Sequence, residues 1–266
     1  LTGAKEKLPF IRHVTFDDDA FFAYGEAEIE EFCREYKRKI GLPLDIGGAT
    51  PTTLTRGKLS LLVNAGLTGI RMGIQTASER TKKLYKRRHS NELVEKSVNI
   101  INEFKDKIKD IRYDIIINNP WETREDLVST LMFLARFPTP YRLNNFNLTF
   151  FPETELYKKA RKDGLITDDI KEVYSKSYSK HEQTYLNDLF HLLSNYSNKG
   201  IRITPGMISL LTDKESLKSR LLYAALKAGS HLWKILDTLR IILVSLQKWD
   251  RTRFDRWYEY KFFINR

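Results

Sequence analysis

Short apolar runs alternate with amphipathic stretches through the first two-thirds of this 266-residue chain, and no other feature limits its fold as strongly. Ile11–Phe16 reads as a strand leading to a helix over Glu26–Ile40, and Leu44–Gly47 leads through Thr50-Pro51-Thr52-Thr53 to a helix over Arg56–Ala65. Ile70–Gln75 precedes a helix near Asn91–Phe104, Ile111–Asn118 precedes Glu125–Phe137, and Leu143–Phe150 precedes Glu155–Lys162. About five strand–helix units at this spacing require crossover connections and therefore a parallel sheet. The unbroken Ile115-Ile116-Ile117 suits a strand buried on both faces. In a parallel barrel the chemistry sits on the loops after the strands' C-terminal ends.

Beyond about Gly164 the strand signals stop. Asp168–Asn195 and Lys214–Trp249 read as helices with Pro205-Gly206 between them, so the expected division is a barrel-like domain over 1–165 and a helical region over 166–266. In the second helix Leu221, Leu222, Ala225, Ala228, Leu232, Ile235, Leu236, Leu239, Ile242 and Leu243 recur at spacings of three and four, one apolar stripe.

Charge follows the same division. Residues 1–170 carry 28 Lys and Arg against 25 Asp and Glu, whereas residues 171–266 carry 17 against 9, within a formal total of +11. Basic excess is an argument about anionic partners rather than about fold. No strong nucleic-acid signal accompanies it. The stripe joined to Lys218, Arg220, Lys227, Lys234, Arg240 and Lys248 opens a peripheral membrane contact; packing of the stripe on the barrel is the competing expectation. The single cysteine, Cys33, excludes an intrachain disulfide and any multi-cysteine metal site, which fits a reducing cytosol. No apolar run approaches the length that spans a bilayer, and no charged-then-apolar leader opens the chain, so the expected location is cytoplasmic. Leu1 is not an initiator methionine, and the chain reads as a fragment.

Four strand-end segments concentrate the candidate chemistry. Asp17-Asp18-Asp19 sets adjacent carboxylates after the first strand, either directed at a cation or ammonium group or forming a solvated, helix-capping loop. Gln75 and Ser78 are polar groups apt for a ribose or carboxylate, and Arg87 can grip a carboxylate bidentately, although Lys82–Arg88 also fits a solvated charge run. Asn118 and Asn119 precede Pro120, which stops the fourth strand. The five histidines show no zinc-protease spacing, and no phosphate-binding Gly-Lys-Ser/Thr loop occurs.

Taken in order, Phe16-Asp17-Asp18-Asp19-Ala20-Phe21, Gly73-Ile74-Gln75-Thr76-Ala77-Ser78-Glu79-Arg80 with Tyr85-Lys86-Arg87, Tyr113-Asp114 through Asn118-Asn119-Pro120-Trp121-Glu122-Thr123, and Phe151-Pro152-Glu153-Thr154-Glu155-Leu156-Tyr157 resemble the later strand ends of radical S-adenosylmethionine enzymes, especially the branch carrying a cobalamin-binding domain. The resemblance covers roughly 10–165 and departs at Thr76, Ala77 and Glu153, where the family has Ser, Gly and Gly. Ala77 would be strained if the family's turn needs positive φ, and Glu153 puts the last turn in question.

The resemblance implies a partial six-unit TIM-like (βα) barrel, with about strands two to six present, and a helical C-terminal extension. It implies S-adenosylmethionine contacts from Asp18, Asp19, Gln75, Ser78, Arg87, Asn118 and Asn119, with Asp18 and Asp19 the paired acids. In the complete enzyme a Cys-x-x-x-Cys-x-x-Cys loop would hold a 4Fe–4S cluster, at which S-adenosylmethionine is reductively cleaved to a 5′-deoxyadenosyl radical. Cobalamin-dependent methyl transfer to a small-molecule or lipid-like substrate, and a reductant such as a flavodoxin or ferredoxin, are further implications. Three thiolates are needed, so the cluster ligands would lie outside this chain and the chain alone would be inactive. The alternative is a degenerate, non-catalytic barrel serving as a binding module.

Overall fold

The computed structural model describes residues 1–8, 10–18, 20–175, 182, 184–213 and 216–248, with side chains as far as 244. The chain divides into two compact units, Leu1–Ile208 and Ser209–Arg266.

The first unit opens with α1 (Thr2–Lys7) and β1 (Val14–Phe16), followed by α2 (Glu26–Lys39), β2 (Leu44–Ala49), α3 (Arg56–Ala65) and β3 (Leu67–Gln75). Two helices, α4 (Glu79–Leu84) and α5 (Asn91–Glu103), lead to β4 (Asp110–Ile117), then α6 (Arg124–Leu134), β5 (Arg142–Asn147), α7 (Glu155–Lys162) and α8 (Tyr185–Asn198). The strands lie in chain order, β1-β2-β3-β4-β5. Every neighbouring pair is parallel, with Val14 opposite Leu44, Ile70 opposite Ile111 and Asp114 opposite Asn144. Consecutive order with crossovers of one hand puts the helices on one face, the arrangement of a barrel wall. Among the described residues the sheet does not close.

Strand alternation divides the two faces. Ile111, Tyr113, Ile115 and Ile117 of β4 are buried, as are Ile70, Met72 and Ile74 of β3. Tyr113 meets Phe137 edge-on, and Phe16 of β1 packs against Phe32 and Tyr36 of α2. The other face is polar. Arg71 Nε donates to Asp114 Oδ2 at 2.7 Å, Asn144 Nδ2 donates to Asp114 Oδ1 at 2.8 Å, and Arg142 Nη2 donates to Asp110 Oδ1 at 2.5 Å. Arg112 Nε also reaches Asp110, at 2.8 Å. Burial raises the Asp114 carboxyl, opposed by Arg71 and Asn144. A cavity of about 160 Å³ lies among Thr15, Asp45, Gly47, Gly69, Arg71 and Arg112. Both glycines matter: a methyl at Gly69 would fall on the Asp45 carboxylate, and one at Gly47 would lie 2.9 Å from Asp17 Oδ1.

The expected helix over Asp168–Asn195 is not continuous. A short π-helical turn covers Ile170–Tyr174, and α8 starts at Tyr185, where Thr184 accepts from the Asn187 amide at 3.2 Å and caps a new helix. α8 packs on β5, and Leu143 N donates to Ser194 Oγ at 2.8 Å.

Pro205-Gly206 also differs from expectation, because it opens a helix, α9 (Pro205–Thr212), rather than separating two. Proline suits the first helical position, where no amide is needed, and Thr204 Oγ1 accepts from Met207 N as the cap. In the second unit α10 (Leu217–Lys248) runs for 32 residues, and Ser219 Oγ donates to the Leu211 carbonyl. No helix among the described residues is long and apolar enough to cross a membrane.

Candidate active site

The C-terminal ends of β1 to β5 bring the candidate segments to one end of the sheet, and each side chain's fate follows from local geometry. After β1 the acids separate by alternation. Thr15 and Asp17 face the polar side, where Asp17 Oδ1 accepts from Arg71 Nη1 at 3.4 Å. Asp18 turns with Phe16 to the other side: its Oδ1 accepts from the Ala20 amide at 2.7 Å. It lines an open cavity of about 490 Å³ with Phe21, Tyr24, Glu28 and Phe32. Asp19 lies outside the described residues. The acid on the polar face is therefore Asp17, which the sequence reading passed over although a period of two from Thr15 points to it.

Gln75 ends β3 at φ 70°, with a register shift against β4 between Gly73 and Gln75. Its carboxamide lies over Gly73, with Nε2 2.8 Å from the position a Cβ would take there. The positive φ thus falls on Gln75, and Ala77, where strain was expected, does not adopt one. Asn118 ends β4 at φ 55°. Its Nδ2 donates to Asn147 Oδ1 at 2.6 Å, and its Oδ1 accepts from Asn187 Nδ2 at 2.7 Å. Three carboxamides from β4, β5 and α8 are linked in this way, and nothing in local sequence ties Asn187 to Asn118.

Ser78 and Asn119 are both hydrogen-bonded within the protein. Ser78 is buried, caps α4 by accepting from Thr81 N, and donates to Asp126 Oδ1 at 2.5 Å. Asn119 donates to Tyr85 Oη at 2.9 Å and accepts from Trp121 N at 3.0 Å, so both ends of its amide are used. Arg87 is exposed, its amide donating to the Lys82 carbonyl.

Behind these loops lies a buried cluster absent from the sequence reading. Asp126, at the third position of α6, accepts from Thr123 N at 2.8 Å, Thr123 Oγ1 at 3.0 Å and Arg80 Nε at 3.1 Å, besides Ser78. Burial opposes ionisation here, yet the hydrogen bonds from Arg80, Ser78 and Thr123 hold the carboxyl well below the usual carboxylate range. Glu122 beside it is the opposite case. Its Oε2 is buried without a hydrogen-bond partner, and burial above all, with Asp126's charge, pushes its carboxyl up to about 7.

At the last turn Glu153 adopts φ 68°, so the left-handed geometry that a glycine would supply is kept by a glutamate. Such a conformation costs a side-chain-bearing residue about 1 kcal/mol. Its exposed contact with Lys158 at 3.3 Å offsets little of that. Glu153→Gly is expected to stabilise the protein by about 0.5–1 kcal/mol, read as a higher urea midpoint; a lower midpoint would contradict the strain.

Cys33 sits buried on α2 with its thiol pushed up to about 11, by burial first and the Glu30 charge second. A 4Fe–4S cluster is held by several cysteine thiolates and this sequence has one cysteine, so the chain's residues do not fit such a cluster. Among the described residues no group of three or more His, Cys, Asp or Glu side chains is placed to hold a metal.

The fold and the strand-end loops define an open parallel α/β barrel wall with its candidate chemistry at one rim. Residues 5–134 match the family model of the radical SAM superfamily. No curated protein matches. Among solved structures, coproporphyrinogen III oxidase (HemN) from Escherichia coli, a radical SAM enzyme, is similar at 18% identity and TM-score 0.49, over 61% of this chain and 37% of that one. The radical S-adenosylmethionine methyltransferase TsrM from Kitasatospora setae, with cobalamin and a 4Fe–4S cluster bound, is similar at 17% identity and TM-score 0.49, over 61% and 32%. The match thus spans about a third of the length of these two structures.

Proposed function

We propose that the chain is the later-strand part of a radical S-adenosylmethionine enzyme. The observation that carries this reading is the family match over 5–134 together with polar strand ends on β3, β4 and β5. When bound, S-adenosylmethionine would supply a 5′-deoxyadenosyl radical through reductive cleavage at a cluster whose ligands lie outside this chain. Gln75 and the linked carboxamides of Asn118 and Asn147 are neutral donors and acceptors, chemically suited to ribose hydroxyls or an amino-acid carboxylate. Their backbone positions at the ends of adjacent strands hold them in place, which is the protein's share of cofactor chemistry. Ser78 and Asn119 would act through the shape of the loops, and Asp17 through Arg71. Cobalamin-dependent methylation is the finer reading, supported by Phe16 to Phe21 with its paired acids. Its substrate would be a small or lipid-like molecule, with electrons from a flavodoxin or ferredoxin.

The test uses the native full-length gene product, reconstituted anaerobically with iron and sulfide and reduced with dithionite. Formation of 5′-deoxyadenosine from S-adenosylmethionine is expected. In equilibrium dialysis of the present chain, Asn118→Ala is expected to weaken S-adenosylmethionine binding roughly five- to ten-fold, the value of one or two polar contacts. A stable four-iron cluster on the present chain would overturn the placement of the ligands elsewhere. The single cysteine, too few to hold a cluster, also favours a second reading, a non-catalytic binding module; it predicts nucleoside binding with no 5′-deoxyadenosine.

A further inference from the structure

α10 carries an apolar stripe that the fold leaves facing water. Leu221 is 62% exposed, Ile235 57% and Leu243 59%, and Leu217, Leu232, Leu236 and Leu239 are exposed with them. At 3.6 residues per turn these side chains fall within an arc of roughly 100°. The helix's buried positions, Ser219, Leu226 and Ser230, lie on the opposite side of the wheel. Within the second unit, what α10 buries is its other face.

The charges around the stripe say what would cover it. Arg220 and Lys227 run along one flank, and Lys218 and Arg240 along the other, with Lys234 on the far side. The only acid between Leu217 and Lys248 is Asp237, which the helical repeat places on the side of Ser219 and Ser230, away from the stripe. A second copy of the same helix would bring two basic margins together, the reverse of the complementary flanking charges of a paired coiled coil. An apolar stripe between cationic margins instead matches a surface that is apolar inside and anionic at its rim.

We propose that α10 lies flat in the interface of an anionic membrane, with the Leu221–Leu243 stripe in the acyl boundary and the Lys and Arg margins at lipid phosphates. The geometry is that of an interfacial helix. At 1.5 Å per residue it would lie along roughly 48 Å of the membrane plane. The charges interrupt it too often for it to cross, in keeping with the absence of a spanning helix among the described residues. The inference stands apart from the proposed radical chemistry, since it uses only the second unit and would hold for a non-catalytic barrel.

The experiment is co-sedimentation of the whole chain with sucrose-loaded phosphatidylcholine vesicles, with and without about one-third phosphatidylserine. Sedimentation with the anionic vesicles, weakened by added salt, is expected. Arg220→Gln with Lys227→Gln should lower the partition coefficient roughly 30-fold, at about five-fold per neutralised charge. Ile235→Asp with Leu239→Asp should abolish binding with an unchanged far-ultraviolet circular dichroism spectrum, because both positions are exposed. Equal binding to neutral and anionic vesicles overturns the proposal. So does a failure to bind, and so does a concentration-dependent dimer in sedimentation velocity that the Ile235→Asp, Leu239→Asp variant disrupts, which would assign the stripe to a second copy.

Discussion

Asp126→Ala is expected to destabilise the first unit by about 3–4 kcal/mol, a large share of the 5–15 kcal/mol that holds a typical domain together. Its side chain joins three segments. Removal opens the capping box of α6, in which Thr123 and Asp126 satisfy each other's backbone amides, at a cost near 1 kcal/mol. It also leaves the buried Ser78 hydroxyl without its acceptor, a desolvation cost of about 1–3 kcal/mol. Arg80 is half exposed and keeps its bond to the Trp121 carbonyl, so its own contribution is smaller. Urea unfolding followed by circular dichroism would measure the loss; a shift below 1 kcal/mol would show that Asp126 is not the joint between α4 and α6. Asp126 holds its proton more weakly folded than unfolded. Its stabilising share is therefore present above the unfolded carboxylate value and disappears as the solution is acidified.

Glu122 produces the second large effect, with the opposite sign. The folded protein holds the Glu122 proton up to about pH 7, against an ordinary value of 4.5. Because the folded state binds this proton more tightly than the unfolded chain, Glu122's own contribution to stability is greatest below 4.5. It declines as pH rises through about 7, by roughly 2–3 kcal/mol in all. Glu122→Gln has no proton to lose and should remove that slope. It should therefore exceed wild type by about 2–3 kcal/mol at pH 8 and match it near pH 4. Parallel unfolding curves at the two pH values would test this, and a wild type equally stable at both would remove the buried carboxyl from consideration. The two acids are coupled: losing Asp126's charge and freeing Arg80 would each lower the Glu122 carboxyl.

The strand–helix rhythm was legible because periodicity is a local property. α3 and α7 span the residues expected of them, and α2 and α5 end one residue early. The breaks at Thr184 and Pro205 were missed because each turns on a cap, a single hydroxyl set against a helix-length pattern that averages it away. Of the candidate site, the segments were legible in the sequence and the side-chain partners were not. Ser78 and Asn119 are polar residues in the right segments, but their partners Asp126 and Tyr85 lie 48 and 34 residues away. Asp17 was within reach of strand alternation. Asn187 was not, because its contact with Asn118 spans 69 residues and leaves no local trace.

The fit of Asp45 against Gly69, and of Asp17 against Gly47, carries over to how this sequence can drift. In the first pair one strand contributes an acid and its neighbour contributes the absence of a side chain, so the two positions share one volume, whereas the exposed Asp17 can swing away from Gly47. An alanine at 69 is blocked while Asp45 stands, and a shortened residue at 45 leaves a gap beside Gly69. Neither step is neutral alone, and the tolerated route changes both together. Across divergent relatives 45 with 69 should therefore covary as a size-compensating couple.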